Sequence, residues 1–265
     1  MSFYNKSVSK LSNKSNQVIV YSKKDKNENE KHSKDQIVTL NDYELNRLPF
    51  INALIYDKRG FFDIYKSLLI EKHQLIFSFY PMIDYNSIVV KIDLFFLSIN
   101  IYHFINALFF NESTIHKIYE DKGAYNLGYF FPQIFYSFVI SYLLCYLIKY
   151  FSLSHKDIYK IKLESSHRKA LNRSDKVKRV IVIKYFLFYI IGLIFLFFFW
   201  YYISSFSAVY KNTQIYLITN MLICFGLSLL YQFIINLFPC LFRIISLQDS
   251  KREILYKISI FFHYL

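Results

Sequence analysis

Three residues of ligating type, Glu112, His116 and Glu120, follow one another at intervals of four. On a helix that spacing puts two carboxylates and an imidazole on one face, the donor types that hold zinc. Lys117 and Lys122 stand close by, and a mixed run of this kind also makes an ordinary solvated face. A second set, Asp93, Asn100 and His103, shares one face of a largely apolar stretch, with Asn106 further round. Ionisable groups are costly in lipid, so the stripe reads either as an ion or proton path or as structural pairing. Lys91, beside it, is expected to snorkel to the headgroups or to pair with Asp93. A third set, Asn220, Cys224, Ser228, Gln232 and Asn236, recurs every four residues and forms a ridge winding slowly round its helix. It reads as packing glue or as the lining of a polar path. Gly226 adds an expected close-approach position, and Ser137, Ser141 and Cys145 form a small-residue ridge suited to tight helix packing.

The elements that carry these sets are apolar helices. Tyr185–Phe206 is 22 residues without a charge, and 215–237 is a second such run of 23. Either crosses roughly 30 Å of hydrocarbon at about 1.5 Å per residue. Trp200, Tyr201 and Tyr202 lie near the end of the first, where amphipathic rings prefer the headgroup level. Leu94–Phe110, of 17 uncharged residues, and Phe130–Ile148 complete a set of four expected spans, at about 94–110, 130–148, 185–206 and 215–237. The turn Tyr210-Lys211-Asn212-Thr213-Gln214 joins the last two, and Arg243 marks an expected return to water.

Composition agrees. Hydrophobic residues make up 54% and aromatics 21%, while Gly (5) and Pro (4) are scarce, which favours long helices over a loop-rich β architecture. The apolar runs lack the two-residue alternation of a membrane barrel. Cys145, Cys224 and Cys240 form neither a disulfide framework nor a zinc signature. The fold expected is all-α: an integral membrane four-helix bundle over 88–243, amphipathic cytoplasmic or interfacial helices over 38–87, a disordered basic tail over 1–37 and a cytoplasmic tail over 244–265. Val18–Tyr21 is an apolar exception in that tail, either a docking strand or a stray cluster. Asn41-Asp42-Tyr43-Glu44 has the form of a capping box, and Pro49 is expected to bend or split the helix that follows. A second helix is expected over 61–79.

The net charge is +13, and it gathers beside the apolar runs. Residues 149–184 hold 11 Lys/Arg against 3 Asp/Glu. That loop is expected on the cytoplasmic side, which places both termini there. Arg168, Lys169, Lys176, Lys178 and Arg179 are expected to meet anionic lipid headgroups, a simpler partner than nucleic acid. The expected partners are thus the bilayer and, for the packing ridges, a second copy or another membrane protein. No cofactor is expected.

Several runs carry a family resemblance: Asn41-Asp42-Tyr43-Glu44-Leu45-Asn46, Tyr56-Asp57-Lys58-Arg59, Asn106-Ala107-Leu108-Phe109-Phe110, His116-Lys117-Ile118-Tyr119-Glu120-Asp121 and Ala208–Gln214. Over roughly 40–265 the chain resembles a large group of uncharacterised protist multi-pass transmembrane proteins, of the kind abundant in ciliates. A much weaker similarity links its last two spans to polycystin-like membrane regions. The first resemblance implies membership and topology. Neither supplies an activity, because fold-level analogy does not carry function.

Three functions compete. The first is a non-catalytic membrane scaffold or accessory subunit. The second is an oligomeric ion channel or transporter subunit using Asp93, Asn100, His103, Asn220, Ser228, Gln232 and Asn236. The third is a membrane-embedded lipid-modifying enzyme, for which Glu112, His116 and Glu120 are the only metal candidates. Where the polar ridges meet, in dry contacts or around water, separates the first two.

Overall fold

The structure is a computed structural model; it describes residues 18–20, 37–80, 85–122, 124–162 and 167–264. The disorder expected over 1–37 falls almost wholly outside the described residues. The described residues are mostly helical, joined by short turns, with two short strands, β1 (Val18–Val20) and β2 (Ile37–Thr39), which pair antiparallel with Ile19 opposite Val38. The chain forms two compact units, residues 1–68 with 236–265 and residues 69–235.

The first unit opens with α1 (Asp42–Leu45). Its start is the expected capping box: Asn41 Oδ1 accepts from the Glu44 amide at 2.9 Å, and the Glu44 carboxylate accepts from the Asn41 amide at 3.1 Å. Pro49 splits the next stretch, because a proline disfavours the helical region at the residue before it. The helix resumes as α2 (Phe50–Tyr56), followed by α3 (Phe61–Lys72). The unit closes with α11 (Leu237–Leu247) and α12 (Glu253–Tyr264), which pack against each other. Leu45, Leu48, Ala53 and Tyr256 make one core, and Ile64, Leu68 and Cys240 another.

The second unit holds α4 (Gln74–Phe79), α5 (Ile88–Leu108), α6 (Glu112–Glu120), α7 (Leu127–Ser152), α8 (His155–Lys162), α9 (His167–Val209) and α10 (Gln214–Ile235). Helix α5 is central and packs on α4, α7, α9 and α10. The core joins Tyr102, Ile134, Ile203, Phe206, Leu217, Met221 and Cys224. Four helices are long and apolar enough to cross a membrane, carrying Ile88–Leu108, Leu127–Lys162, Arg168–Val209 and Gln214–Leu247.

Several expected boundaries shift. The single helix over 61–79 is two, because His73 interrupts it and caps α4, its Nδ1 accepting from the Ile76 amide at 3.5 Å. Helix α5 begins six residues earlier than the uncharged run, so Lys91 and Asp93 lie inside it. The basic stretch 149–184 is helical where it is described, apart from a break at Leu153 and Ser154: Lys and Arg are good helix formers, and α9 runs unbroken for 43 residues from that stretch into the apolar run. At about 1.5 Å per residue it is ~65 Å long, twice the hydrocarbon thickness.

The turn after α9 explains its own wording. Asn212 adopts φ 68°, a left-handed conformation that asparagine tolerates. Thr213 donates to the Tyr210 carbonyl at 2.7 Å, Gln214 Nε2 to Ser207 O at 3.1 Å, and the Tyr119 hydroxyl to Lys211 O at 2.9 Å. The Tyr210 ring packs on Phe206.

Candidate functional site

Glu112, His116 and Glu120 lie along α6, and all three are exposed. His116 Nε2 sits 3.2 Å from Glu120 Oε1, while Lys117 pairs with Glu120 at 3.4 Å and Asp121 at 3.1 Å. Among the described residues no three His, Cys, Asp or Glu side chains are grouped to hold a metal. The face is a run of exposed ion pairs.

The stripe on α5 separates. The Asp93 carboxylate meets the Tyr189 hydroxyl of α9. Asn100 turns back to its own helix, donating to Phe96 O at 2.8 Å, and Asn106 does the same to Tyr102 O at 2.8 Å. His103 is half-buried. Lys91 does not snorkel: it is fully buried, its Nζ 4.9 Å from the centre of the Phe77 ring. The Lys149 ammonium lies 4.2 Å from the same ring.

The ridge on α10 reaches a different neighbour at each step. Asn220 Oδ1 accepts from the Tyr125 hydroxyl at 2.5 Å. Cys224 Sγ reaches Ile134 O of α7 at 3.3 Å and Asn106 Oδ1 of α5 at 3.5 Å. Ser228 donates back to Phe225 O at 2.6 Å and lies in reach of the Tyr102 hydroxyl. Gln232 Oε1 accepts from the Gln74 amide at 2.7 Å and so caps the start of α4. Asn236 is buried in the first unit, at the start of α11. On α7, Ser137 and Ser141 are fully buried, and neither hydroxyl has a partner among the described residues; Cys145 packs against the core beside them. Gly226 is not a close-approach position: a Cβ there would meet nothing within 4 Å. Arg168, Lys169, Lys176, Lys178 and Arg179 are all exposed on α9.

The most concentrated chemistry lies in the first unit, at residues the sequence does not single out as a set. Asp57 is buried among three helices. Its Oδ1 accepts from Arg59 Nε at 2.8 Å, and its Oδ2 accepts from Arg59 Nη2 at 3.0 Å, Arg243 Nε at 2.9 Å and Arg243 Nη2 at 2.8 Å. Arg59 also donates to Asp42 Oδ1 at 3.2 Å, Ser67 Oγ at 3.1 Å and Asn46 Oδ1 at 2.9 Å. Arg243 donates to the last carbonyls of α1, Asn46 O at 3.0 Å and Leu45 O at 2.5 Å, where a cation is favoured. Its guanidinium lies over the Tyr256 ring, whose hydroxyl bonds Leu48 O at 2.6 Å. Arg243 is therefore 3% exposed and is no return to water.

Burial opposes the Asp57 charge, but the hydrogen bonds and field of Arg59, with those of Arg243, outweigh it and hold the carboxyl below its ordinary value. Burial likewise opposes the charge on Arg59, and Asp57 and Asp42 outweigh it, raising that group further. Arg59 uses all five donors on protein oxygens, so the network forms a latch among these segments. Two sequence signals point towards it. One is Tyr56-Asp57-Lys58-Arg59, with opposite charges two residues apart; the other is a lone arginine in the otherwise uncharged helix α11.

Comparison with protein-family models, curated proteins and solved structures finds no match.

Proposed function

We propose that the chain is a non-catalytic integral membrane protein, a scaffold or accessory subunit, with its four apolar helices bundled in the bilayer and both termini on the cytoplasmic side. The observation that carries this reading is the partnering of the polar side chains on α10. Asn220, Cys224 and Gln232 each bond a different neighbouring segment of protein. A conducting path needs polar groups that converge on water, whereas these hold segments to one another. No activity follows from the resemblance to the ciliate-type group; it supports the membership and the topology alone.

The long basic start of α9 supplies the membrane contact. Asp175, Lys178, Arg179, Val182 and Ile183 line one open face of it, cationic at one end and apolar at the other. That order suits an anionic headgroup above an acyl chain, with each basic residue contributing about 1 kcal/mol near an anionic leaflet.

Reconstitution in liposomes tests the reading. Ion flux is expected at the level of protein-free vesicles, unchanged by Asp93→Asn or His103→Ala. A flux above that level, abolished by Asp93→Asn, would overturn the scaffold in favour of a channel subunit. Glycosylation acceptors engineered within 149–184 are expected to stay unmodified; modification there would reverse the topology.

A further inference from the structure

The α11–α12 hairpin presents apolar side chains outward as well as inward, where Cys240, Tyr256, Ile244, Leu247 and Ile260 join the core. The buried side of α11 is Pro239, Cys240, Arg243 and Ser246, and α12 buries Tyr256, Ser259 and His263. Exposed instead are Phe238, Leu241 and Ile245, at i, i+3 and i+7 on one face of α11, and Phe261 at 63% on α12. The guanidinium on the inner side is fully engaged with Asp57 and the α1 carbonyls, so it asks nothing of the surroundings.

The hairpin is also graded along its length. Phe262 stacks on Phe238 at 6.0 Å and Phe242 at 5.9 Å, with Phe261 edge-on to it, and Ser259 donates to Pro239 O. This aromatic base lies at the Asn236 end. The opposite end is the charged tip Asp249-Ser250-Lys251-Arg252-Glu253, beside which a single large apolar side chain, Ile254, is exposed. One residue of chain separates α11 from α10, and the helical stretch that carries this candidate span runs on to Leu247.

We infer that the hairpin stands with its base in the bilayer: Phe238, Leu241 and Phe261 contact acyl chains, while the tip at 249–253 is in water. The partner of the exposed apolar face is lipid hydrocarbon. Helix α12 thereby turns the cytoplasmic tail, whose Ile254, Leu255, Ile258, Phe261 and Phe262 the sequence marks as an amphipathic segment, back into the cytoplasmic leaflet. The covalent link to α10 and the polarity gradient, apolar where the span ends and charged away from it, both select lipid over a second copy of the chain. The inference rests on the reading that α10 crosses a membrane.

Trp200 is the only tryptophan, so a Trp200→Phe background makes each new tryptophan a single depth reporter. In that background Phe238→Trp, Phe261→Trp and Lys251→Trp are reconstituted in vesicles of acyl-brominated phosphatidylcholine, with Leu193→Trp on the exposed face of α9 as reference. The rings at 238 and 261 are expected to be quenched about twofold by the brominated lipid, as for groups about 5–10 Å below the headgroup boundary. Acrylamide is expected to reach them little, and position 251 to show the reverse. Quenching of 238 and 261 by acrylamide alone, with 193 quenched by lipid, would overturn the inference and leave the membrane reading standing. Quenching by neither would mean that protein covers the face, and would also overturn it. A reference at 193 insensitive to brominated lipid would sink the membrane reading itself. Phe261 is the more exposed ring and accepts the larger one, so the readout survives if Phe238→Trp fails to fold.

Discussion

The two units hide polar atoms in opposite ways. The first buries full charges and pairs three of them together: Asp57, Arg59 and Arg243 share one network with Asn46, Ser67 and Asp42. The second buries mostly neutral groups in its spanning helices and satisfies them one at a time. Asn100, Asn106 and Ser228 bond carbonyls three or four residues back, and the Ser137 and Ser141 hydroxyls have no partner among the described residues. The difference follows from magnitude. An unpaired buried charge costs several kcal/mol, so it is tolerated only within a complete network, whereas a lone hydroxyl costs about 1–3 kcal/mol. Charged residues in the first unit therefore act as one network, whereas polar residues in the second act singly, some on their own helix and some, such as Asn220 and Gln232, on one neighbouring segment each.

The largest test of this contrast is removal of the shared anion. Asp57→Ala leaves two guanidinium groups buried, and is expected to destabilise the first unit by about 3–5 kcal/mol. Hydrogen exchange at residues 43–57 reads it, with the 69–235 unit unaffected. Adding Arg243→Met is expected to recover part of the loss; no recovery would mean that the two residues act independently.

Acid comes next. The folded Asp57 carboxyl lies below its unfolded value, so its contribution is complete above that value, about 3.9, and is lost as pH falls through the lower folded one. Protection at 43–57 is expected to fall below about pH 4 in the parent, with a flatter profile in Asp57→Asn. A steep fall retained in Asp57→Asn would assign the acid sensitivity elsewhere.

In the second unit the effects shrink. Gln232→Leu removes the cap on α4 and is expected to cost about 1 kcal/mol, the scale of polar contacts between membrane helices. Steric-trap unfolding in bicelles measures this. Smallest of all, Ser141→Ala and Gly226→Ala are expected to be neutral or to stabilise by up to about 1 kcal/mol, one removing an unpartnered hydroxyl and the other raising helix propensity. A loss above that scale at Ser141 would reveal a partner for its hydroxyl, and the units would then be less different than described.

The four long helices are legible because a charge-free run of that length has few other uses. Their ends are not. Lys91 and Asp93 read as flanking residues, since nothing local shows that Phe77 and Tyr189 will cover them. The basic clusters read as a loop, although lysine and arginine extend helices readily, and α9 takes them in. The latch was hidden for a different reason: Asp57 and Arg243 are 186 residues apart, and no local pattern couples them. Gly226 shows the converse error, a small residue taken as a contact where the structure leaves open space.

That separation has a consequence in time. A ribosome adding about 5–20 residues per second leaves Asp57 waiting roughly 10–40 s for Arg243 to be made. Until then Asp57 has Arg59 as its only guanidinium partner, and the carbonyls of Leu45 and Asn46 lack their donor. Every apolar helix of the second unit is synthesised inside that interval. The latch can therefore close only after the second unit has been synthesised, and a chain truncated before Arg243 cannot close it.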